Sequence, residues 1–402
     1  MKNRMRQGHM LIVYIVKFED NRIEYYGDGI NQAQIEAIHR LHHHSKETPV
    51  FFGRHDTLGL LGYILPLQRS LAIFRTTDNV TESCDDMMFA YSFQDDPFDI
   101  LGMQFTANEA VFIEIRARND TSDGLIVELL SIQHLEAALT ERSHSRALGD
   151  PMLPAQPFHY TRRCSFAPKY WCTNASTFAA LNANSKVYTY ATDRRIPRSV
   201  GRETNVQSDA KVECAQLVPY LEESRVVRLA SGGWLTVAVT EDGELNIWGQ
   251  TSVHLPGQVI FFSFHPGRKQ GSSKILTYYR EIALLREEHN DNDDADEYVK
   301  THQFRLDGHT ASVTHVAIGF AHVLVAVEAD RGEGEIQRSV YGVGNNEKGA
   351  LGLGTLLDAK SFMEDFTEIK AFRGMKVNQI VCEGWSSFVV IDILDDSGNS
   401  KR

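Results

Sequence analysis

The chain of 402 residues is poor in cysteine: five, at Cys84, Cys164, Cys172, Cys214 and Cys382, odd in number and scattered. A disulfide scaffold needs paired cysteines in a short chain, so these read as thiols of a reducing, intracellular compartment, cytoplasmic, nuclear or both. Long apolar runs are missing too. No stretch approaches the ~18 residues of a membrane-spanning helix. Met10–Val16 (MLIVYIV) is short for the core of a secretory leader, no small-residue cleavage site follows it, and it reads as a strand. Asn79, Asn119 and Asn174 each begin an Asn-x-Ser/Thr triplet, which means nothing without secretion. Positive charge is in deficit, with 41 Lys and Arg against 53 Asp and Glu and a net charge of −12. Binding nucleic acid through charge needs a basic face to displace counterions from phosphate. Only Lys2/Arg4/Arg6, Arg162/Arg163 and Arg194/Arg195/Arg198 form basic groups, so direct nucleic-acid binding is set aside.

Motifs that carry chemistry are also missing. There is no Gly-x-Ser-x-Gly, no phosphate loop and no His-Glu-x-x-His. His42, His43 and His44 are adjacent, and adjacent residues on a helix splay about 100° apart and cannot share one ion. Cys164 and Cys172 have no second pair to complete a zinc site. Asp291 to Asp296 supplies calcium-like acids without the glycine and closing glutamate of an EF-hand loop. Gly342-Val-Gly344 starts like a dinucleotide fingerprint, but the next glycine is Gly349 and no helical pattern follows. No cofactor and no metal is expected.

What is present is a repeated β unit. Val226 to Gly249 (VVRLASGGWLTVAVTEDGELNIWG) reads as two short strands around Asp242-Gly243, because period-two alternation on both sides of Asp-Gly is a strong hairpin signal. Copies of its first part begin at Val313 and Val377. Apolar residues match at Leu229, Val316 and Ile380, then at Val237, Leu324 and Phe388. The second strand recurs at Lys186–Tyr190, Glu244–Gly249 and Ser339–Gly344, the last running on through Gly349, Gly352 and Gly354. Fainter hairpins centre on Asp78-Asn79 and on the Asn119 to Gly124 stretch. The turn centres fall at roughly 78, 121, 183, 242 and 333, around the ~40–50-residue span of a propeller blade.

Gly232-Gly233-Trp234, Asp242-Gly243, Trp248-Gly249, Gly319, Gly342-x-Gly344-Asn-Asn-x-x-Gly349-x-x-Gly352-x-Gly354 and Gly384-Trp385 together resemble the regulator of chromosome condensation repeat. The match covers residues 170–250 and 313–391 and is poor over 1–150. The resemblance implies an all-β fold, a single β-propeller of six or seven blades, seven being usual, with a few short helices in inserted loops. Trp234, Trp248 and Trp385 fall at matched repeat positions or strand ends and read as blade packing.

Three helices are expected: Asn31–His44, Ser131–Leu148 (Ile132, Leu135, Ala138 and Leu139 on one face) and Ser273–Glu288. The third lies in an interruption at about 250–307 that also holds the acidic run Glu287–Glu297. No glycine-rich second strand follows the last copy, and Arg22–Asn31 resembles Ser339–Asn346, so residues 22–27 are expected to pair with the last blade. The resulting domains are an N-terminal extension 1–21, a propeller 22–394 and a tail 395–402. The function expected is a monomeric, non-catalytic interaction scaffold. The alternatives are exchange of guanine nucleotide on a small GTPase, as the resemblance implies, or a chromatin adaptor that contacts a basic protein. Arg194, Arg195 and Arg198 on one rim loop, and Tyr278, Tyr279 and Arg280 on the inserted helix, are the candidate partner-binding residues.

Overall fold

A computed structural model of the chain describes residues 16–17, 23–24, 50–53, 60–74, 88–106, 110–118, 125–147, 161–162, 164–192, 197–202, 214–249, 298–332, 334–346, 349–353, 362–383 and 386–391. β1 (Val16–Lys17) and β2 (Ile23–Glu24) pair with each other. Six sheets follow in chain order. Sheet A holds β3 (Val50–Gly53), β4 (Leu60–Leu65), β5 (Ser70–Phe74) and β6 (Met88–Ser92). Sheet B holds β7 (Phe98–Phe105), β8 (Val111–Ala117), β9 (Leu125–Leu129) and β10 (Thr161–Arg162), with the helix α1 (Ile132–Ala147) between its last two strands. Sheet C holds β11 (Tyr170–Thr173), β12 (Thr177–Leu181), β13 (Val187–Ala191) and β14 (Gln216–Leu217). Sheet D holds β15 (Val226–Gly232), β16 (Leu235–Thr240), β17 (Leu245–Gly249) and β18 (Lys300–His302). In sheet E, β19 (Phe304–Leu306) precedes β20 (His309–Ile318), β21 (His322–Asp330), β22 (Ile336–Asn345) and β23 (Phe362–Glu368). Sheet F is β24 (Val377–Glu383) paired with β25 (Ser386–Ile391).

Every sheet pairs strands that are consecutive in the chain, all antiparallel. The leading meander strands β3, β7, β11, β15, β20 and β24 lie next to one another in that order. An apolar core fills each seam between successive sheets. Ile64 and Ile73 meet Ile113 and Val127 between A and B. Phe112 stacks on Phe178 between B and C, with ring centroids 5.1 Å apart. Leu181 and Val187 meet Ala238 and Trp248 between C and D. Val237 and Ile247 meet Val323 and Val325 between D and E. Leu324 and Val340 meet Val377 and Ile380 between E and F. Alternation explains the sharing: side chains one apart on a strand point to opposite faces, so Val237 serves one seam and Ala238 the other. β16 (LTVAVT) is therefore buried throughout. Sheets stacked face to face around adjoining first strands make a β-propeller.

The aligned copies occupy equivalent places. Leu229 opposes Ala238, Val316 opposes Val325 and Ile380 opposes Val389. The expected two strands of Val226–Gly249 are three, because Gly233-Trp234 is itself a turn between β15 and β16. Gly233 takes a left-handed φ of +54°, and a Cβ there would lie 2.2 Å from the Phe320 carbonyl oxygen of the next sheet. The turn at Asp242-Gly243 forms as expected, and the Gly243 carbonyl accepts the Val313 N–H of sheet E at 2.9 Å. In sheet A the turn between second and third strands is residues 66–69. The expected Asp78-Asn79 centre falls instead between the paired β5 and β6, which explains the uneven spacing of turn centres. The leading strands of sheets B, D, E and F each carry a register irregularity of bulge type, at Ile100/Gly102, Val226/Arg228, Val313/His315 and Val377/Gln379.

α1 forms where its apolar spacing predicts, with Leu135 and Leu139 wholly buried against sheets A and B. Ser131 Oγ accepts the His134 N–H at its start. At its far end Arg142 Nε donates to Asp96 Oδ1 at 2.5 Å, and Arg146 donates to Asp96 Oδ2 at 2.9 Å. Tyr91 O–H donates to the same Oδ2 at 2.7 Å. The expected helices at Asn31–His44 and Ser273–Glu288, and the acidic run, lie outside the described residues. Of residues 22–27 only Ile23 and Glu24 are described, and they pair with Val16–Lys17. No helix of the described residues is long and apolar enough to cross a membrane.

Candidate interaction face

In a meander the connections alternate between the two ends of the strands. The turns from first to second strand therefore share one face of the propeller with the connections from third to fourth strand. On that face the chain leaves sheet A after Phe74, B after Leu129, C after Ala191, D after Gly249 and E after Asn345, and the next strand of each sheet begins only at Met88, Thr161, Gln216, Lys300 and Phe362. At the opposite end of the strands, the second-to-third turns 66–69, 118–124, 182–186, 241–244 and 331–335 and the links between sheets A to F are each shorter than those intervals, and the end of α1 is fastened there through Asp96 of the A–B link. The longer connections between strands of one sheet thus all leave from one face, the arrangement by which a rigid scaffold presents loops.

Hydrogen bonds tie the two kinds of connection together on that face. Thr192 N–H donates to the Ser176 carbonyl at 2.9 Å, and Asn345 N–H to the Ala321 carbonyl at 2.8 Å. The 3-10 turn Pro197–Val200 packs between sheets C and D. There Thr177 Oγ1 donates to the Ser199 carbonyl at 3.1 Å and Thr189 Oγ1 to the Val200 carbonyl at 2.7 Å. Arg198 lies in this turn, its side chain outside the described residues. Arg194, Arg195, Tyr278, Tyr279, Arg280, Gly354, Gly384 and Trp385 lie outside the described residues altogether.

The first-strand turns sit side by side. Ala175 N–H donates to the Gly233 carbonyl at 2.8 Å. Trp234 meets Phe320 edge to face, with ring centroids 5.3 Å apart at 66°, and both rings are partly exposed. Trp248, by contrast, is fully buried in the seam between C and D. An exposed aromatic pair on rigid turns is the kind of anchor that dominates protein interfaces.

Beneath these turns lie polar clasps across the seams that sequence reading missed. Asn174, wholly buried, donates from Nδ2 to the Leu235 carbonyl at 2.9 Å and to Thr236 Oγ1 at 3.0 Å. Its Oδ1 accepts the N–H groups of Ser176 and Thr177. Thr173 N–H donates to Gln104 Oε1 at 2.8 Å across the preceding seam. His322 Nε2 lies 2.7 Å from Ser387 Oγ between sheets E and F, and Cys382 Sγ lies 3.3 Å from the same hydroxyl. A serine beside a histidine invites a nucleophilic reading. This histidine is completely buried and spans a seam where Asn174 spans another, so the pair fastens sheets. A lone buried polar residue leaves no periodicity to read; aligning Gly319-x-x-His322 with Gly384-x-x-Ser387 is the only signal that could have found it.

On the opposite face Asp307 accepts from Arg331 Nη2 at 2.7 Å, Gln337 Nε2 at 2.9 Å and Arg373 Nη2 at 2.5 Å. These bonds, that from Arg373 first, hold its carboxyl below the ordinary carboxylate value. Among the described residues no group of histidines, cysteines or carboxylates could hold a metal ion.

Sheet order and equivalent repeats define the class: a β-propeller built from successive antiparallel meanders. No protein-family model matches the sequence, and no curated protein matches it. Among solved structures, the chain is similar to yeast RCC1 (Prp20) seen bound to Kap60, at 13% identity and a TM-score of 0.47 over 84% of this chain and 65% of that one. It is also similar to Prp20p from Saccharomyces cerevisiae, described with its binding to Gsp1p and histones, at 15% identity and a TM-score of 0.45 over 84% and 67%. Human WBSCR16 matches at 10% identity and a TM-score of 0.36, over 86% of this chain and 87% of that one. The chain spans about two thirds of the length of the yeast proteins. At these overlaps the propeller stands on the chain's own sheet order.

Proposed function

We propose that this propeller is an interaction scaffold that takes a protein partner on the face bearing its long connections. One observation carries the reading: the five third-to-fourth connections leave beside the same turns that expose the Trp234–Phe320 pair. Rigid seams below and long connections leaving above suit recognition, and nothing in the described residues supplies a catalytic set.

The test compares the two faces. Trp234→Lys changes the loop-bearing face; Ile336→Lys changes a residue 45% exposed at the opposite end of the strands. Both variants and the parent are used to capture partners from cell extract in EDTA, with a GTP wash. Loss of the captured protein with the Trp234 change alone supports the reading, and loss with the Ile336 change alone overturns it. Exchange on a small GTPase, which the repeat resemblance implies, requires that the captured protein be such a GTPase, held without nucleotide and released by GTP. Capture of a histone or another basic protein, indifferent to GTP, favours the adaptor.

A further inference from the structure

The strand bulges have a common effect at the centre of the ring. β15 is flanked by β11 on one side and β20 on the other, and the innermost strand of a propeller sheet faces the central channel. Its exposed residues, Val227 and Arg228, therefore open on the channel. Without a bulge, neighbours in a strand point to opposite faces; a bulge re-aims them. Adjacent pairs accordingly lie at the same level in three successive sheets: Val227 and Arg228, exposed; Thr314 and His315, half-buried; Asn378 and Gln379, exposed. The residues after the irregularity are Arg228, His315 and Gln379, and the matched position of sheet B is Gly102. The bulges sit at the start of their strands, so this level lies toward the mouth opposite the long connections.

Its chemistry is one-sided. Arg228 carries a charge, and among the described residues no carboxylate pairs with it. His315 feels that charge and bonds to the backbone of Asn378 in the next sheet; burial first and Arg228 second hold its imidazole below the ordinary value. The remaining charge facing His315 is Glu328 of β21, which is already engaged by Arg338 Nε at 2.8 Å. Guanidinium and carboxamide can both donate, and a guanidinium fork matches the oxygens of carboxylate or phosphate.

We propose that this level of the channel binds a small oxyanion, a carboxylate or phosphate, with Arg228 as its charged anchor and Gln379 as a further donor, beside His315, which is held by Thr314 and the Asn378 backbone. The full chain is titrated with sodium phosphate, then with citrate, against sodium chloride of equal ionic strength, and thermal unfolding is followed. Phosphate also stabilises proteins by exclusion from their surface, an effect that does not saturate. The parent and Arg305→Gln, a change on an exposed strand elsewhere, are expected to show a saturating rise in Tm. Arg228→Gln, referred to its own Tm in chloride, is expected to lose the saturating part, and Arg228→Lys to need at least tenfold more ligand. A saturating rise undiminished in Arg228→Gln, or no saturating rise in the parent with either anion, overturns the site. Saturation by citrate alone assigns a carboxylate ligand, and by phosphate alone a phosphate. Should Arg228→Gln fail to fold, a response in Arg228→Lys equal to the parent's overturns the proposal by itself.

Discussion

Gly233 shows how closely the propeller's turns are set. A side chain there meets two penalties: a left-handed backbone, costing about 1–2 kcal/mol, and overlap with the Phe320 carbonyl. Gly332 has φ +87° and nothing within 4 Å of a notional Cβ, so it isolates the first penalty. Gly332→Ala is expected to cost the backbone term alone. Gly233→Ala is expected to add about 1–3 kcal/mol for forced repacking, seen as a lower urea midpoint with an unchanged slope. Equal costs would show that the neighbouring turn yields freely. The sequence announced Asp242-Gly243 because polar and apolar residues alternate around it. It hid the turn at Gly233-Trp234, because the apolar run continues from Leu229 through Val239 with only glycines to mark the reversal. The clasp residues Asn174 and His322 were equally hidden: Asn174 sits in a polar turn and His322 among apolar residues, and the meaning of each depends on what the next sheet brings to it.

α1 was legible from Ile132, Leu135 and Leu139, which recur at helical spacing. What fastens its end was not, since Asp96 lies far from Arg142 and Arg146 in sequence. Asp96 is 1% exposed and accepts from two arginines and Tyr91, whose hydroxyl is pushed above its ordinary value chiefly by burial and also by its bond to Asp96. Removing one member of such a buried set strands the other charges, at about 3–5 kcal/mol. Asp96→Asn is therefore expected to destabilise the protein by that order and to open α1 to limited proteolysis before the rest of the chain. Simultaneous cleavage everywhere would mean that the helix is held by Leu135 and Leu139 alone. The strand bulges escaped the sequence for a different reason. One extra residue per leading strand leaves the apolar pattern intact on either side, and only cross-strand register reveals it.

The assembled molecule should respond to acid. His302, packed on Phe304 and Phe366 with centroids 4.5 and 4.9 Å away, and His315 at the channel are both held below their ordinary value, mainly by burial. Below about pH 6.5 the unfolded chain takes up protons that the native one resists. Stability is thus fully present above that range and lost as pH falls through it. The urea midpoint should drop between pH 7.5 and 5.5, and the double variant His302→Gln, His315→Gln should drop less; an identical drop would assign the effect to other groups. The meander has one more consequence. Because each described sheet joins only strands consecutive in the chain, no pairing links distant sheets, and folding need not await the last residue. An isolated sheet with bare faces is barely stable, whereas two sheets share a filled seam. The nascent polypeptide can therefore gain stability in steps as it leaves the ribosome, each new sheet sealing the one before it.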